Sequence, residues 1–304
     1  MISNDSAPNK PLGQGALTLP VNAVWLRLAG GLGNQLFQLA AALVCARQWG
    51  WPVVPVTGGL GTYARPHEAT SLRLVRSKRL LAAQPPSKSL SWLAAHTRVG
   101  RWMPWLGVND RTFPAICHGP RRGRPLALMD GYFQRGWTQD LLTQALAMMT
   151  VQTAVPVPRL PYDCIVHVRG TDFLGLQSHG FLQPDYYANA VALAKGAGLR
   201  RFGVVTDDPS HGARLAAHIG EAHPDVMLSV LPAASDPLHD FHVIRSAPAR
   251  IMGNSTFAWW AAALDANAAP TWSCARFVRD QSRDFFLKSE IPLDVQGRPC
   301  GGLA

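Results

Sequence analysis

One short loop collects three side chains that could do chemistry on a charged ligand. Residues 164–168 are apolar and predict a buried strand, and His167, Arg169 and Asp172 come at or just after its end. An arginine at this place could bind a diphosphate through two parallel hydrogen bonds, and Gly170 would let a substrate approach the backbone. An ordinary turn held by Arg169 and Asp172, with His167 in the core, explains the same residues equally well.

A second polar loop follows the apolar segment 202–205. Thr206 and two acids, Asp207 and Asp208, stand there, and the acids could accept hydrogen bonds from a base edge or from a ribose hydroxyl. Pro209 directly after Asp208 also predicts a helix with Asp208 as its N-cap. Ligand binding and helix capping do not exclude each other in this loop.

A third loop opens an apolar helix predicted over residues 256–264. Asn254, Ser255 and Thr256 stand at its start, where hydroxyls and free backbone N–H groups could bind a phosphate. Taken alone, these residues favour an ordinary N-cap by Ser255 or Thr256. Trp259 and Trp260 inside the helix are assigned to the core.

The first half of the chain carries a glycine loop between a strand predicted at 24–28 and a helix predicted at 34–49. Ligands bind at the carboxyl ends of strands in open α/β sheets, and small residues permit close approach to the backbone. The residues of this loop that we assign to ligand binding are Gly31, Gly33, Asn34 and Gln35.

The elements that must position these loops alternate between strand and helix. Strands are predicted at 53–56, 164–168, 202–205, 226–231 and 250–252, and helices near 185–195, 210–219, 236–246 and 256–264. This alternation predicts an α/β fold with a parallel, doubly wound sheet. Three prolines within 155–161 predict a domain junction, with a loose arm over 1–20, one domain over 21–155 and a second over 156–304. Residues 57–125 are predicted to be mixed and partly helical.

Composition limits the class of protein. The 304 residues are 47% hydrophobic, which predicts sizeable cores. Five cysteines without a C-x-x-C pair suggest reduced thiols, with neither a disulfide framework nor a zinc site. No long apolar run or signal pattern is found, so we expect a cytoplasmic protein. The net charge of +10 divides unevenly, because residues 1–150 hold 16 Lys and Arg against 5 Asp and Glu while the rest hold 13 against 14. A solvated basic face and attraction of an anionic partner explain this excess equally well.

Three segments together resemble the α-1,2-fucosyltransferases of glycosyltransferase family 11. They are 30–38 (GGLGNQLFQ), 167–173 (HVRGTDF) and 254–260 (NSTFAWW), and the resemblance spans about residues 24 to 275. It implies a GT-B fold of two facing Rossmann-like domains. It also implies inverting transfer of fucose from GDP-fucose to the 2-hydroxyl of a galactose, with no metal and no further cofactor.

The resemblance also implies roles for individual residues. Arg169 corresponds to the arginine that contacts the β-phosphate and assists departure of GDP, while His167 and one of Asp207 or Asp208 hold the guanosine. Ser255 and Thr256 correspond to the phosphate-binding helix start. The sequence departs from the family pattern at Gly170, where a second arginine is usual, which bears on diphosphate binding and on the identity of the donor sugar.

The general base is assigned to Asp172, which is the only acid between Arg169 and Pro184. His179 in the same loop is the alternative, because Asp172 could instead orient Arg169. Gln177 stands about where α-1,6-transferring relatives carry a glutamate base. A base is needed only late, as the sugar becomes oxocarbenium-like.

Other classes fit the sequence less well. A nicotinamide-dependent oxidoreductase would need a third glycine in the loop and an acid after the strand 53–56, and both are missing. A nucleic-acid binder would explain the basic first half, but no such motif is found. A donor such as GDP-rhamnose stays open. We expect a galactose-terminated glycan of a bacterial-type surface polysaccharide as acceptor, with a lipid-linked acceptor and peripheral association with a membrane as open alternatives.

Overall fold

The computed structural model describes residues 22–58, 60, 67–83, 107–118, 127–152, 160–170, 182–278 and 281–300. The described helices are α1 (Leu32–Trp49), α2 (Thr70–Leu74), α3 (Phe113–His118), α4 (Gln139–Ala147), α5 (Pro184–Gly196), α6 (Pro209–Ala222), α7 (Pro237–Arg245) and α8 (Thr256–Ala263). The described strands are β1 (Val24–Arg27), β2 (Val53–Val56), β3 (Val75–Arg76), β4 (Gly107–Val108), β5 (Ala127–Met129), β6 (Thr150–Val151), β7 (Cys164–Val168), β8 (Arg201–Thr206), β9 (Met227–Val230), β10 (Arg250–Met252), β11 (Thr271–Cys274), β12 (Arg276–Val278), β13 (Gln281–Ser282) and β14 (Glu290–Leu293).

The first half of the chain forms a four-stranded parallel sheet in the order β2-β1-β5-β4. Strand β1 is apolar and lies inside this sheet, with Val24 opposite Val53 on one side and Ala127 on the other. Helix α1 follows it directly and ends where Gly50 adopts a left-handed backbone conformation, φ 71°, as the glycine at this place predicts. Its start is therefore held at the carboxyl edge of the sheet.

The second half forms a six-stranded parallel sheet in the order β14-β11-β10-β7-β8-β9. Central strand β7 is buried along its whole length, as expected for a strand covered on both faces. The α/β class with parallel sheets is confirmed. The two sheets lie on either side of the predicted junction, although most of its residues, 153–159, lie outside the described residues, as does the predicted arm.

Two strands of the second sheet were missed because they carry polar residues at buried positions. Ser273 of β11 and Glu290 of β14 are both buried, which the periodicity of a sequence does not anticipate. The guanidinium of Arg283 donates hydrogen bonds to the Ser273 hydroxyl and to the Glu290 carboxylate. Since buried polar groups are tolerated when they are paired, this ion pair explains how β11 and β14 join the core.

One apolar core extends through both halves. Phe37 of α1 stacks on Trp259 of α8 with ring centroids 5.2 Å apart, and it meets the edge of Trp260 at 5.1 Å. Phe277 and Phe285 close the same cluster. The assignment of both tryptophans to the core is confirmed, and the two domains are joined by an apolar contact.

Two further findings concern membranes and cysteines. No helix in the described ranges is long and apolar enough to cross a bilayer. Cys164, Cys274 and Cys300 are free thiols, as predicted, and Cys45 is buried, whereas the Cys117 side chain lies outside the described residues.

Candidate functional site

A cavity of about 590 Å³ opens between the two domains. From the first domain its walls are formed by the glycine loop and the segment around α2, namely Gly31, Leu32, Gln35, His67, Glu68, Thr70 and Arg73. From the second domain they are formed by residues at the carboxyl ends of strands or the starts of helices, namely His167, Arg169, Val205, Thr206, Asp207, Ser235, Asp236, Pro237, Asp240 and Phe257. Open α/β sheets bind ligands at this edge.

Arg169 is held in the cavity wall by Asp207. One carboxylate oxygen of Asp207 lies 3.5 Å from the Arg169 Nε, and the other accepts a hydrogen bond from the Gly170 N–H at 2.7 Å. The loops after β7 and β8 are thus tied together through one side chain. Both charged groups keep about a third of their side chains exposed, 32% each, so a ligand in the cavity can reach them.

Gly170 fills a position that has no space for a side chain. A Cβ at this residue would lie 2.6 Å from the Cβ of Asp208 and 3.3 Å from an Asp207 carboxylate oxygen. The distance to the Asp208 Cβ is well below ordinary van der Waals contact between carbon atoms, and the distance to the oxygen is also tight. An arginine at position 170, as the sequence resemblance would lead us to expect, could therefore be accommodated only if the loop after β8 moved.

His167 lies at the inner wall of the cavity and is 5% exposed. Burial, and then the positive charge of Arg169, lower the pKa of His167 from 6.5 to about 4. The ring lies 5.8 Å from that of Phe257. At neutral pH the imidazole is accordingly uncharged, so it can hydrogen bond with a ligand but does not add to the positive charge of the site.

The two neighbouring acids after β8 have different surroundings. Asp208 accepts a hydrogen bond from the His211 N–H at 2.9 Å and is the N-cap of α6, which confirms the capping prediction. Thr206 supports this turn by accepting from the Asp208 N–H at 3.1 Å. Thr206 and Asp207 line the cavity, whereas Asp208 does not. Of the two acids, Asp207 is the one in place to contact a ligand.

Gln35 of the glycine loop is buried and fully engaged with the backbone. Its side-chain amide donates to the Gly30 carbonyl at 2.9 Å and to the Glu68 carbonyl at 2.8 Å, and its oxygen accepts from the Ser71 N–H at 3.2 Å. These bonds hold the loop against the segment before α2. Gln35 borders the cavity mainly as a positioning residue for the backbone around Gly31.

Gly33 and Asn34 lie at the domain contact and do not line the cavity. A Cβ on Gly33 would lie 2.5 Å from the Phe257 nitrogen, so only glycine lets α1 and α8 approach this closely. The Asn34 side-chain oxygen accepts from the Gln134 amide at 2.8 Å and from the Thr256 hydroxyl at 3.3 Å. Both residues contact the second domain, Gly33 through Phe257 and Asn34 through Thr256, and their role in ligand binding stays a prediction.

The start of α8 also lies at the contact between the two domains. Ser255 is the N-cap, with its hydroxyl oxygen 3.5 Å from the Ala258 N–H, which confirms the simpler reading of this loop. Asn254 and Ser255 are buried, and among residues 254–257 only Phe257 lines the cavity. Asn254, Ser255 and Thr256 do not line the cavity, and the glycine loop packs against Thr256 through Gly33 and Asn34. Their role in phosphate binding stays a prediction.

Four charged residues at the far end of the cavity were not anticipated from the sequence, namely Glu68, Arg73, Asp236 and Asp240. The Arg73 guanidinium lies 2.8 Å from the Asp236 carboxylate across the cleft and 3.5 Å from that of Glu68. Asp240 lies one turn further along α7, and its burial raises the pKa of its carboxyl group. The Asp236-Pro237 pair does carry a capping signal, but nothing local indicates that this helix start faces α2.

The residues proposed for the general base, Asp172 and His179, lie outside the described residues, as does Gln177. Within the described part of the chain, no three His, Cys, Asp or Glu residues are grouped so that they could hold a metal ion.

No protein-family model matches the sequence, and a search of curated proteins finds no match. Solved structures do match the fold. The α-1,6-fucosyltransferase NodZ soaked with GDP-fucose is 14% identical, with a TM-score of 0.50 over 82% of this chain and 97% of that one. NodZ from Bradyrhizobium is 13% identical, with a TM-score of 0.50 over 80% and 92%. POFUT1 in complex with GDP is 11% identical, with a TM-score of 0.50 over 83% and 98%. The fold is GT-B, with the cavity between its two domains.

Proposed function

We propose that this protein is a glycosyltransferase that transfers fucose from GDP-fucose to the 2-hydroxyl of a galactose in a glycan acceptor. The observation that carries the proposal is the interdomain cavity, in which Arg169 and the carboxylates of Asp207 and Asp240 meet at the carboxyl edge of a parallel sheet. The sequence resemblance to α-1,2-fucosyltransferases supports the same activity. The shared fold adds support, since NodZ was soaked with GDP-fucose and POFUT1 was bound to GDP.

The carboxylates of the cavity favour guanine over adenine. A guanine edge presents an N–H and an amino group side by side, and both can donate to a carboxylate, whereas adenine presents an acceptor nitrogen in the place of that N–H. Asp240 is partly buried with a raised pKa, and two donated hydrogen bonds would stabilise its charged form. Asp240 is therefore the residue that we assign to the base, with Asp207 holding Arg169.

Arg169 is assigned to the diphosphate. Negative charge develops on the leaving GDP, and a guanidinium fixed in advance by Asp207 stabilises that charge without having to reorganise. The backbone of the glycine loop around Gly31 faces it across the cavity. This arrangement supports departure of the nucleotide without a divalent metal, and backside attack by the acceptor hydroxyl then inverts the anomeric centre.

Asp172 is assigned as the general base that takes the proton from the acceptor hydroxyl, with His179 as the alternative. The acceptor itself is assigned from the resemblance as a galactose-terminated glycan. A transferase that uses another GDP-6-deoxyhexose, such as GDP-rhamnose, is the second candidate, because Gly170 leaves the diphosphate with one arginine fewer than the family pattern.

Calorimetric titration of the EDTA-treated protein with GDP, ADP and NAD tests the donor class. We expect heat with GDP alone. Binding of NAD without GDP would overturn the proposal in favour of an oxidoreductase. Competition between GDP-fucose and GDP-rhamnose, followed by linkage analysis of the product on a galactose-terminated acceptor, then separates the two candidate donors and tests the 2-hydroxyl assignment.

A further inference from the structure

The cavity has two chemically different ends, and the order of the strands places them. Neighbouring strands run β10-β7-β8-β9, and adjacent strands lie about 4.8 Å apart, so the ends of β7 and β9 are roughly 10 Å from each other. Arg169 follows β7, and His167 in the same strand has its ring 5.8 Å from that of Phe257, against which Gly33 of the glycine loop packs. Asp236, after β9, marks the opposite end. A ligand that fills the cavity must span from Arg169 to Asp236.

The proposed function orients the nucleotide along this line. The diphosphate belongs with Arg169 and the Gly31 backbone, and the nucleoside therefore lies toward β8 and β9, where the carboxylates of Asp207 and Asp240 line the wall. Arg73 reaches this nucleoside end from the other domain. It stands on the short helix α2 and its guanidinium lies 2.8 Å from Asp236.

Arg73 has the shape and the freedom to cover a purine. Half of its side chain, 51%, is exposed, and the residue lines the cavity while its NH1 and NH2 atoms form the two ion pairs. Asp236 does not depend on Arg73, because it also caps α7 by accepting from the Leu238 N–H at 2.9 Å. A guanidinium stacks on aromatic rings, and it keeps its edge hydrogen bonds while doing so.

We propose that Arg73 is a nucleoside-binding residue that covers the base from the first domain, and that Asp236 positions its guanidinium. The inference rests on the proposed function and adds to it a specific contact. It divides the two arginines of the cavity between the two parts of the nucleotide. Arg169 binds the diphosphate, whereas Arg73 binds the base.

Binding of guanosine, GMP and GDP to matched variants tests this division. For Arg73→Ala we expect affinity to fall by about the same factor, roughly tenfold, for all three ligands, because the lost contact is with the base. For Arg169→Ala we expect guanosine binding to be unchanged and GDP binding to fall. Arg76 is an exposed arginine three residues away that does not line the cavity, and Arg76→Ala should bind all three ligands like the wild type.

Two more variants separate stacking from charge and from folding. Arg73→Lys keeps the charge without the planar guanidinium, so we expect it to bind guanosine as weakly as Arg73→Ala. Asp236→Asn keeps a good N-cap and removes the partner charge, and we expect a loss of about threefold for each ligand. Unfolding curves of every variant show whether its domain contact is intact.

Several results would overturn the inference. A loss in Arg73→Ala that appears only with GDP would make Arg73 a phosphate ligand, and unchanged binding of all three ligands would remove it from the site. Full guanosine affinity in Arg73→Lys would contradict stacking. A wild-type protein that binds none of the three ligands would overturn the proposed function itself, which is a different outcome from wild-type binding with an indifferent Arg73.

Discussion

Two of the contacts between the domains differ in chemistry. On one side of the cavity lies the apolar contact, which we define as Phe37, Trp259, Trp260, Phe277 and Phe285, all buried. On the other side lies the polar contact, formed by Arg73 with Asp236 and half exposed to solvent. The apolar contact excludes water and packs like a domain core, while an exposed ion pair contributes little to stability.

This difference indicates that one contact positions the domains and that the other is available for ligand binding. The apolar contact sets the position of one domain against the other, and Gly33 lets the starts of α1 and α8 come together beside it. The polar contact is free to serve a ligand, since little stability depends on it.

Removal of the aromatic ring at the centre of the apolar contact should have the largest effect. Phe37→Ala is expected to lower the free energy of unfolding by about 3–5 kcal/mol, because it leaves a cavity among four large rings. Arg73→Ala should cost less than about 1 kcal/mol. Urea unfolding measures both. Equal losses in the two variants would mean that the comparison of the two contacts is wrong.

Arg169→Ala removes the cation of the diphosphate end. We expect kcat for transfer to fall by a factor on the order of 10²–10³, as for loss of one donor that stabilises developing charge. The free energy of unfolding should stay within about 1 kcal/mol of wild type, because the side chain is partly exposed. Steady-state kinetics with a GDP-sugar donor gives the answer, and near-normal turnover would contradict the phosphate role.

Asp172→Asn tests the general base. Turnover should fall at least about a hundredfold, in keeping with general-base contributions, while donor affinity is retained. His179→Gln is the matched variant in the same loop and should be close to wild type. If the losses are reversed, the base is His179.

His167 is buried with its ring against Phe257, and it also borders the cavity. Its pKa is about 4 in the folded protein against 6.5 as the unperturbed value. A histidine with a lowered pKa stabilises the folded state fully above pH 6.5 and progressively less as the pH falls toward 4. Between pH 7 and pH 5 the wild type should therefore lose about 2 kcal/mol more than His167→Gln. Parallel denaturation curves that show equal losses would place the histidine in a solvated environment.

The smallest effects are expected for Asp207 and Asp208, two neighbouring acids with different roles. Asp208→Ala removes an N-cap and should cost about 1 kcal/mol of stability while leaving GDP affinity unchanged. Asp207→Ala releases Arg169 and the Gly170 N–H, and should weaken GDP binding about tenfold. Calorimetry and unfolding measured on both variants separate the two roles, and an exchange of the two effects would show that the acids were assigned in the wrong order.

Local patterns in the sequence determined a large part of this protein. Apolar runs and helical spacing located β1, α1, β7, β8, β10 and α8 to within a few residues, because each is stabilised by contacts that repeat along the chain. The capping roles of Asp208 and Ser255 were also readable, since a cap bonds to a backbone N–H only three residues away. The three loops that carry Arg169, Asp207 and Phe257 were placed at strand ends for the same reason.

Only the tertiary structure decided which of those loops line the cavity. Asn34 and Thr256 are 222 residues apart in the sequence, and their hydrogen bond holds the start of α8 against the glycine loop. Arg73 and Asp236 are 163 residues apart, and their ion pair brings α2 to the end of the cavity that we assign to the nucleoside. The buried ion pair of Arg283 and Glu290 likewise lets β11 and β14 join the sheet, although their polar residues gave no strand pattern in the sequence. Such contacts depend on how whole domains pack, and a local pattern of residue types holds no information about the distance between segments so far apart.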